Sequence, residues 1–374
     1  MSAIARIALV SAELEPSGLA AYLEGLVRGH LSSHAAVAVV AAGGVLSKRL
    51  EEAGATVMLF PQLLRRFVGP LAAARAAASL YEFGAQIVHV VGTAAYPAAR
   101  RLARALRLPL VVTVHEYIGR PEDLPWQPAE TPLVIAVSET LRENLVNDGG
   151  VPKSRLRVAP VGIDASLYPA RPPERPPSAA EGPTARKAAR TSAIGCVGPL
   201  DERSGTDTFL RAASRVLGAG KDAEFVVVGT GRLERELRSL ARELGVRGRV
   251  TFLGGGVRPE QILPNLDVFV MPAPREALIS GILQAMACAR PVVATAAGGV
   301  FAAVRDGETG FLVPPHDDAA MAEKLVTLVS DDRLRAEMGR AGRELVEREF
   351  GLEPMIRATE AVYAAAAAES RAGP

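Results

Sequence analysis

EFVVVGTGRLERELRSLARELG, residues 224–245, decides the fold. It opens on a short run of β-branched residues, the composition of a strand, and LERELRSLARELG (233–245) follows with the apolar spacing of a helix. Between them Gly229 and Gly231 form a tight strand-to-helix turn, where the lack of a Cβ suits close approach of a ligand or of another chain segment. Strand, glycine turn and helix in that order make half of a βαβ unit.

The same rhythm extends in both directions. Upstream, ARIALV, AVAVVAA, QIVHVV, LVVTV, LVIAV and RVAPVG alternate with helical segments such as LAAYLEGLVRGHL and YPAARRLARALR. Around the opening stretch run SAIGCVG, FLRAASRVL, VTFLG, DVFVMP, LISGILQAMACA, PVVAT and GFLVP, then AMAEKLVTLVSDD and LRAEMGRAGRELVEREF. Strands alternating with helices predict parallel sheets flanked by helices. Between the two series, PARPPERPPSAAEGPTARKAAR (169–190) has no apolar period, and its prolines neither continue a helix nor donate to a ladder. We place a linker at 169–191, between Rossmann-like domains at 1–168 and 192–350. A helix-prone tail at 351–374 ends in ESRAGP. The α/β fold predicted is two such domains whose strand ends face an inter-domain cleft, the setting in which helix N-termini offer free N–H groups to phosphate.

At 374 residues, with 49% apolar residues and mean hydropathy +0.17, the chain has material for two cores. A net charge of +2 and an aromatic share of 5% argue against a nucleic-acid partner. Cys196 and Cys288 sit in apolar runs far from any histidine at ligand spacing, so neither a disulfide framework nor a metal site is expected. The N-terminal stretch reaches Glu13 and Glu15 after a short apolar run, and no window holds the roughly 20 apolar residues of a membrane span. A cytoplasmic protein is the expectation. Between Arg65 and Arg107 the charge is lopsided: Arg65, Arg66, Arg75, Arg100, Arg101, Arg104 and Arg107 stand against Glu82 alone. Beside the apolar PQLL and FVGPL this segment reads either as a peripheral contact with the inner, anionic face of a membrane or as a solvated basic face.

MPAPREALISGILQAMACARPVVATAAGGVFAAVRDGETGFLVPP (271–315) resembles the donor-binding region of the family-4 (GT4-type) retaining glycosyltransferases of the GT-B fold. VIAVSETLRENLVNDGGVPKSRLRVAPVGIDASLY (134–168), VVTVHEY (111–117), VGPLDERSGTDTFLRAA (197–213) and the segment 317–350 carry the likeness over nearly the whole chain. The resemblance implies an acceptor-side first domain, a donor-binding second domain and a last helix that crosses back to the first. It implies sugar transfer from a UDP- or GDP-linked donor, bound as substrate with no metal or other cofactor, to a saccharide or lipid-linked acceptor in polysaccharide or glycolipid synthesis.

By the same resemblance Glu276 lies beside the donor sugar and His115 hydrogen-bonds it, making these the catalytic candidates. Gln284 takes the place of a second acid that holds the ribose hydroxyls, and keeps a carbonyl able to accept from them. Pro199 and Ser204 stand where the family has an arginine and a lysine that clamp the diphosphate. Arg203, Arg258 and Arg275 are then the candidate substitute cations, because a long guanidinium stem reaches phosphate from a neighbouring turn. Gly18, Gly198, Gly229 and Ser280 complete the donor-binding set. Val161, Ala302 and Ser17 are further departures from the family pattern. Glu116 is left outside the site, since alternation along a continuing strand would turn it to the opposite face. Two readings follow: an active glycosyltransferase, or a catalytically impaired relative that keeps the fold as a binding or scaffolding subunit. A nucleotide-sugar epimerase would need further acids that the matching positions lack.

Overall fold

The computed structural model describes residues 4–12, 14–15, 17–127, 130–170, 191–275 and 278–372. The chain divides into two units, 1–164 with 350–374, and 165–349. The linker expected at 169–191 falls almost wholly on 171–190, outside the described residues.

Unit one is built on β1 (Arg6–Ser11), β2 (Ala36–Ala41), β3 (Thr56–Leu59), β4 (Ile87–Val91), β5 (Leu110–Val114), β6 (Leu133–Ala136) and β7 (Leu156–Val158), with helices α1 (Gly18–Ser32), α2 (Ser47–Glu52), α3 (Gly69–Phe83), α4 (Tyr96–Leu106) and α5 (Glu139–Asn147) between them. All pairings are parallel, in the order β3-β2-β1-β4-β5-β6-β7. The strands are nearly continuous apolar runs because helices cover both faces of the sheet. Helix starts follow from sequence: the Ser17 hydroxyl accepts from the Ala20 amide at α1, Ser138 accepts from Leu141 at α5, and prolines open α3 and α4 where an N–H would be unpaired in any case.

Unit two repeats the plan with β8 (Ser192–Val197), α6 (Thr206–Gly218), β9 (Ala223–Val228), α7 (Glu234–Glu243), β10 (Val250–Leu253), α8 (Pro259–Ile262), β11 (Val268–Met271), α9 (Ser280–Ala287), β12 (Val292–Thr295), α10 (Val300–Ala303), β13 (Gly310–Val313), α11 (Asp318–Ser330) and α12 (Asp332–Glu349). Its parallel order is β10-β9-β8-β11-β12-β13. Phe209, Phe225, Val268, Val293 and Leu325 lie in its core.

The last helix, α13 (Leu352–Ala372), belongs to unit one and packs on α1. Glycines permit the close approach: a Cβ on Gly29 would lie 2.3 Å from Ile356, and one on Gly162 would lie 2.5 Å from the Gly351 carbonyl.

In each unit the winding direction reverses once, between β1 and β4 and between β8 and β11. Loops leaving the carboxyl ends of adjacent strands diverge there, and open α/β sheets bind ligands in the crevice so formed.

Candidate functional site

Gly18, Gly198, Arg203, Ser204 and Arg275 lie at these two reversal points, whereas His115 follows β5, Gly229 follows β9 and Arg258 follows the edge strand β10. In unit two the loop after β8 carries Gly198, Arg203 and Ser204, and the loop after β11 carries Arg275. Glu276 lies outside the described residues. The loops after β8, β9 and β11 are held against one another by bare backbone. A Cβ on Gly229 would sit 1.9 Å from the Gly198 oxygen, one on Gly231 2.2 Å from the Leu200 oxygen, and one on Gly205 2.1 Å from the Pro272 oxygen. The Gly198 amide donates to Val228 at 3.0 Å and the Leu200 amide to Thr230 at 2.9 Å. Gly229 and Gly231 are therefore needed by loop-to-loop packing within the protein. Gly198 differs: the space its Cβ would fill is open to 4 Å, so ligand can approach the main chain there.

Ser204 has a structural task of its own. Its hydroxyl donates to the Asp201 carbonyl at 2.8 Å and accepts from the Thr206 amide at 3.3 Å, closing the turn into α6. The Arg203 guanidinium, 70% exposed, reaches Asp201 through Nη2 at 2.9 Å and Nε at 3.2 Å. So exposed a pair contributes well under about 1 kcal/mol. Arg232 pairs with Glu202 in the same region. Arg258 caps α8 and lies 3.7 Å from Glu260, while Arg275 is exposed. Ser280, the first residue of α9, is buried.

Gln284 is 4% exposed, and its Nε2 donates to the Tyr168 hydroxyl at 2.8 Å. Arg343 reaches the Tyr168 and Ala287 carbonyls, tying the same tyrosine into unit two from behind. One of the two hydrogens on the Gln284 amide nitrogen is thus committed inside the protein, and its carbonyl remains able to accept from a hydroxyl. Tyr168 ends the motif GIDASLY, yet nothing in its sequence context points to Gln284, 116 positions away.

In unit one Gly18 opens α1 and His115 follows β5. The imidazole lies against Gly92, whose φ is +88° and whose Cβ would come within 3.0 Å of His115 Cε1. Gly92 in VVGTAA is a turn glycine of the same kind as Gly229, and serves here as the seat of a side chain. His115 Nδ1 is buried with no hydrogen-bond partner among the described residues. Nε2 stands 3.3 Å from Glu116 Oε1. The strand stops at Val114, so the alternation that would have turned Glu116 away no longer applies, and the carboxylate belongs beside the imidazole. An Nε2–H donated to Glu116 leaves Nδ1 as an acceptor, the tautomer that takes a hydrogen bond from a hydroxyl.

Cys196 and Cys288 are both buried and unpaired, and burial pushes each thiol up to about 12, which keeps them unreactive thiols at neutral pH. No group of three His, Cys, Asp or Glu side chains among the described residues could hold a metal ion, and no described helix is long and apolar enough to cross a membrane.

Two Rossmann-like units of parallel sheet, with bare-backbone loops at the reversal points, define the class: α/β proteins of GT-B architecture. Residues 16–167 match Glycosyltransferase Family 4, and residues 191–331 match Glycosyl transferases group 1. A GDP-mannose-dependent monoacylated alpha-(1-6)-phosphatidylinositol monomannoside mannosyltransferase of Corynebacterium glutamicum is 37% identical over 174 residues, 44% of this chain and 45% of that protein. The chain thus spans less than half the length of that relative. A D-inositol 3-phosphate glycosyltransferase of Xylanimonas cellulosilytica is 30% identical over 69% of this chain and 67% of its own. The crystal structure of HepE from Anabaena in complex with UDP and glucose superimposes with a TM-score of 0.78 over 96% of this chain and 99% of that one, at 19% identity, a likeness of fold. The chain belongs to the GT4-type glycosyltransferases.

Proposed function

We propose that the protein moves a sugar, with retention at the anomeric carbon, from a UDP- or GDP-linked donor to a hydroxyl of a saccharide or lipid-linked acceptor. The bond from the anomeric carbon to the diphosphate oxygen breaks, one to the acceptor oxygen forms, and the acceptor's hydroxyl proton passes to the leaving diphosphate. The observation that carries this reading is the loop from Gly198 to Gly205, whose backbone is open at Gly198 beside the reversal point of unit two and which leads into the N-terminus of α6. Charge growing on the leaving diphosphate would meet the α6 amides and Arg203. Gln284 would offer its carbonyl to the ribose, and Gly18, Arg258, Arg275 and Ser280 stay candidates for donor contact. In unit one His115 Nδ1 would accept from a sugar hydroxyl. The relatives support a nucleotide-sugar donor: one is by name GDP-mannose-dependent, and the Anabaena structure holds UDP.

Titration calorimetry with UDP and GDP, and ADP as control, is the test. Saturable binding of UDP or GDP is expected, and no binding at millimolar nucleotide would overturn the reading in favour of a non-catalytic subunit. Arg203→Ala should weaken binding about tenfold, the size of one charge-assisted hydrogen bond to phosphate. Ser204→Lys, which restores the family's cation, should strengthen it by a similar factor. An unchanged Kd in both variants would remove the diphosphate from this loop.

His115→Ala should lower the rate of transfer or donor hydrolysis about a hundredfold while nucleotide Kd moves less than about twofold. Equal loss in both would mean that the imidazole is structural.

A further inference from the structure

We propose that residues 59–75 of unit one form a docking wedge that seats this protein on an anionic lipid surface. Eight large hydrophobic side chains are exposed among the described residues, and five of them fall in one short stretch: Leu59, Leu64, Phe67, Val68 and Leu71. Phe67 is 89% and Leu71 61% exposed. Apolar exposure concentrated in this way on a soluble face marks an interaction surface.

The stretch is held in this posture by its own backbone. Leu63 turns inward, with 0% exposure, and Gly69 lies so close that a Cβ there would be 2.7 Å from the Leu63 oxygen. The Leu63, Arg65 and Gly69 amides donate to the Phe60, Gln62 and Arg65 carbonyls at 2.8, 3.0 and 2.8 Å. The result is a compact turn that presents Phe67 to solvent.

Charge selects the occupant. No acidic residue occurs between Glu52 and Glu82, and Arg65, Arg66 and Arg75 have no acidic partner among the described residues. The Arg66 guanidinium stands 5.8 Å from the Phe67 ring, placing a cation next to the most exposed aromatic side chain. Arginines beside aromatic and aliphatic side chains match the boundary between phosphate headgroups and acyl chains. A second copy of the chain fits poorly, because a two-fold contact would set these unpaired arginines against each other. The structure also divides the basic segment read from sequence. Arg100 and Arg104 on α4 share the Glu130 carboxylate, whereas Arg65, Arg66 and Arg75 of the wedge have no such partner among the described residues.

The wedge leaves the carboxyl end of β3, an edge strand of the parallel sheet, and therefore stands at the same end of unit one as His115 after β5. Docking here would bring that end of the unit to a lipid-linked acceptor, a benefit that rests on the proposed transferase activity; the docking itself does not.

The test is co-sedimentation of the full-length protein with vesicles of phosphatidylcholine alone and of an equal mixture with phosphatidylglycerol, at low and high salt. Binding is expected only to the mixed vesicles, and salt should weaken it. Phe67→Ser combined with Leu71→Ser should lower the vesicle partition coefficient at least about tenfold, the apolar area withdrawn being that of two large side chains. Arg65→Glu combined with Arg66→Glu should abolish binding. UDP and GDP calorimetry on the same variants should match the wild type, so a failed wedge and a failed donor site are told apart. Wild-type protein left in the supernatant, equal binding to both vesicle types, variants that sediment like wild type, or a dimer that the Phe67 change dissociates would each overturn the proposal.

Discussion

Gly205→Ala is expected to destabilise unit two by about 4 kcal/mol or more. Two costs coincide. The residue has φ +65°, a left-handed conformation in which a Cβ costs roughly 1 kcal/mol. Worse, that Cβ would lie 2.1 Å from the Pro272 oxygen and 2.7 Å from its carbonyl carbon. Both neighbours are main chain, so no side-chain rotation relieves the overlap, and the loops after β8 and β11 must separate. Gly218→Ala is the control: its Cβ would meet nothing within 4 Å and it ends α6, so alanine should be neutral or stabilising by up to about 1 kcal/mol. Hydrogen exchange of the β8 and β11 amides under mild denaturant reads both variants. Equal protection in Gly205→Ala and wild type would show that the loops yield without cost. The same substitution should remove nucleotide binding, since it moves the loop proposed to carry the diphosphate.

A second large effect is expected from acid. His30 on α1 and His89 on β4 are both 0% exposed. His89 Nδ1 is 2.7 Å from the Tyr363 hydroxyl of α13, and its Nε2 is 2.7 Å from Thr113 Oγ1. Tyr22 approaches the same Thr113 oxygen at 3.4 Å. His30 stacks on the Tyr363 ring at 5.4 Å, has no hydrogen bond at either ring nitrogen among the described residues, and faces the Glu360 carboxylate at 3.8 Å. Burial pushes His30 down to about 4; burial, and then the charge His30 would carry, push His89 down to about 3. Both are thus neutral in the folded protein, while the unfolded chain takes up protons from about pH 6.5. Their contribution to stability is full above pH 6.5 and is lost as pH falls toward 4 and 3. By linkage, each histidine should cost unit one about 2 kcal/mol between pH 7 and pH 5.

Trp126, the single tryptophan, lies in unit one against Tyr96, so its fluorescence follows the right unit in a urea titration at the two pH values. His30→Leu should remove about half of the pH dependence and, by deleting an unpaired buried ring, leave stability at pH 7 equal or higher. A urea midpoint that does not move between pH 7 and pH 5 would show that water or rearrangement satisfies these rings. Because Tyr363 is the partner of both histidines, α13 is the element expected to loosen first.

The doubly wound architecture was legible because parallel strands covered on both faces are written as uninterrupted apolar runs, and because glycines and capping residues punctuate them locally. Ser17 and Ser138 cap where a serine before a helical period should. Gly198, Arg203, Ser204 and Arg275 follow β8 and β11, the two strands that flank the reversal of order, whereas Gly229 and Arg258 follow β9 and β10. Within that frame the partners were hidden. Glu116 was set aside on strand alternation, and only the termination of β5 at Val114 brings it to His115. Gln284 matched a position expected to touch ribose, but whether its amide is free depends on Tyr168. The seven arginines from Arg65 to Arg107 look alike in sequence, and Glu130 separates two of them from the rest.

By itself the sequence determined the alternation of strand and helix, the division into two similar units and the residues that depart from the family's diphosphate clamp, because each of these rests on local periodicity or on the chemical identity of a single position. The tertiary structure decided which backbones touch, which cations are already neutralised and which histidines are sealed from water. Those properties belong to pairs of residues distant in the chain, and their energies come from desolvation and overlap that exist only once the sheets are assembled.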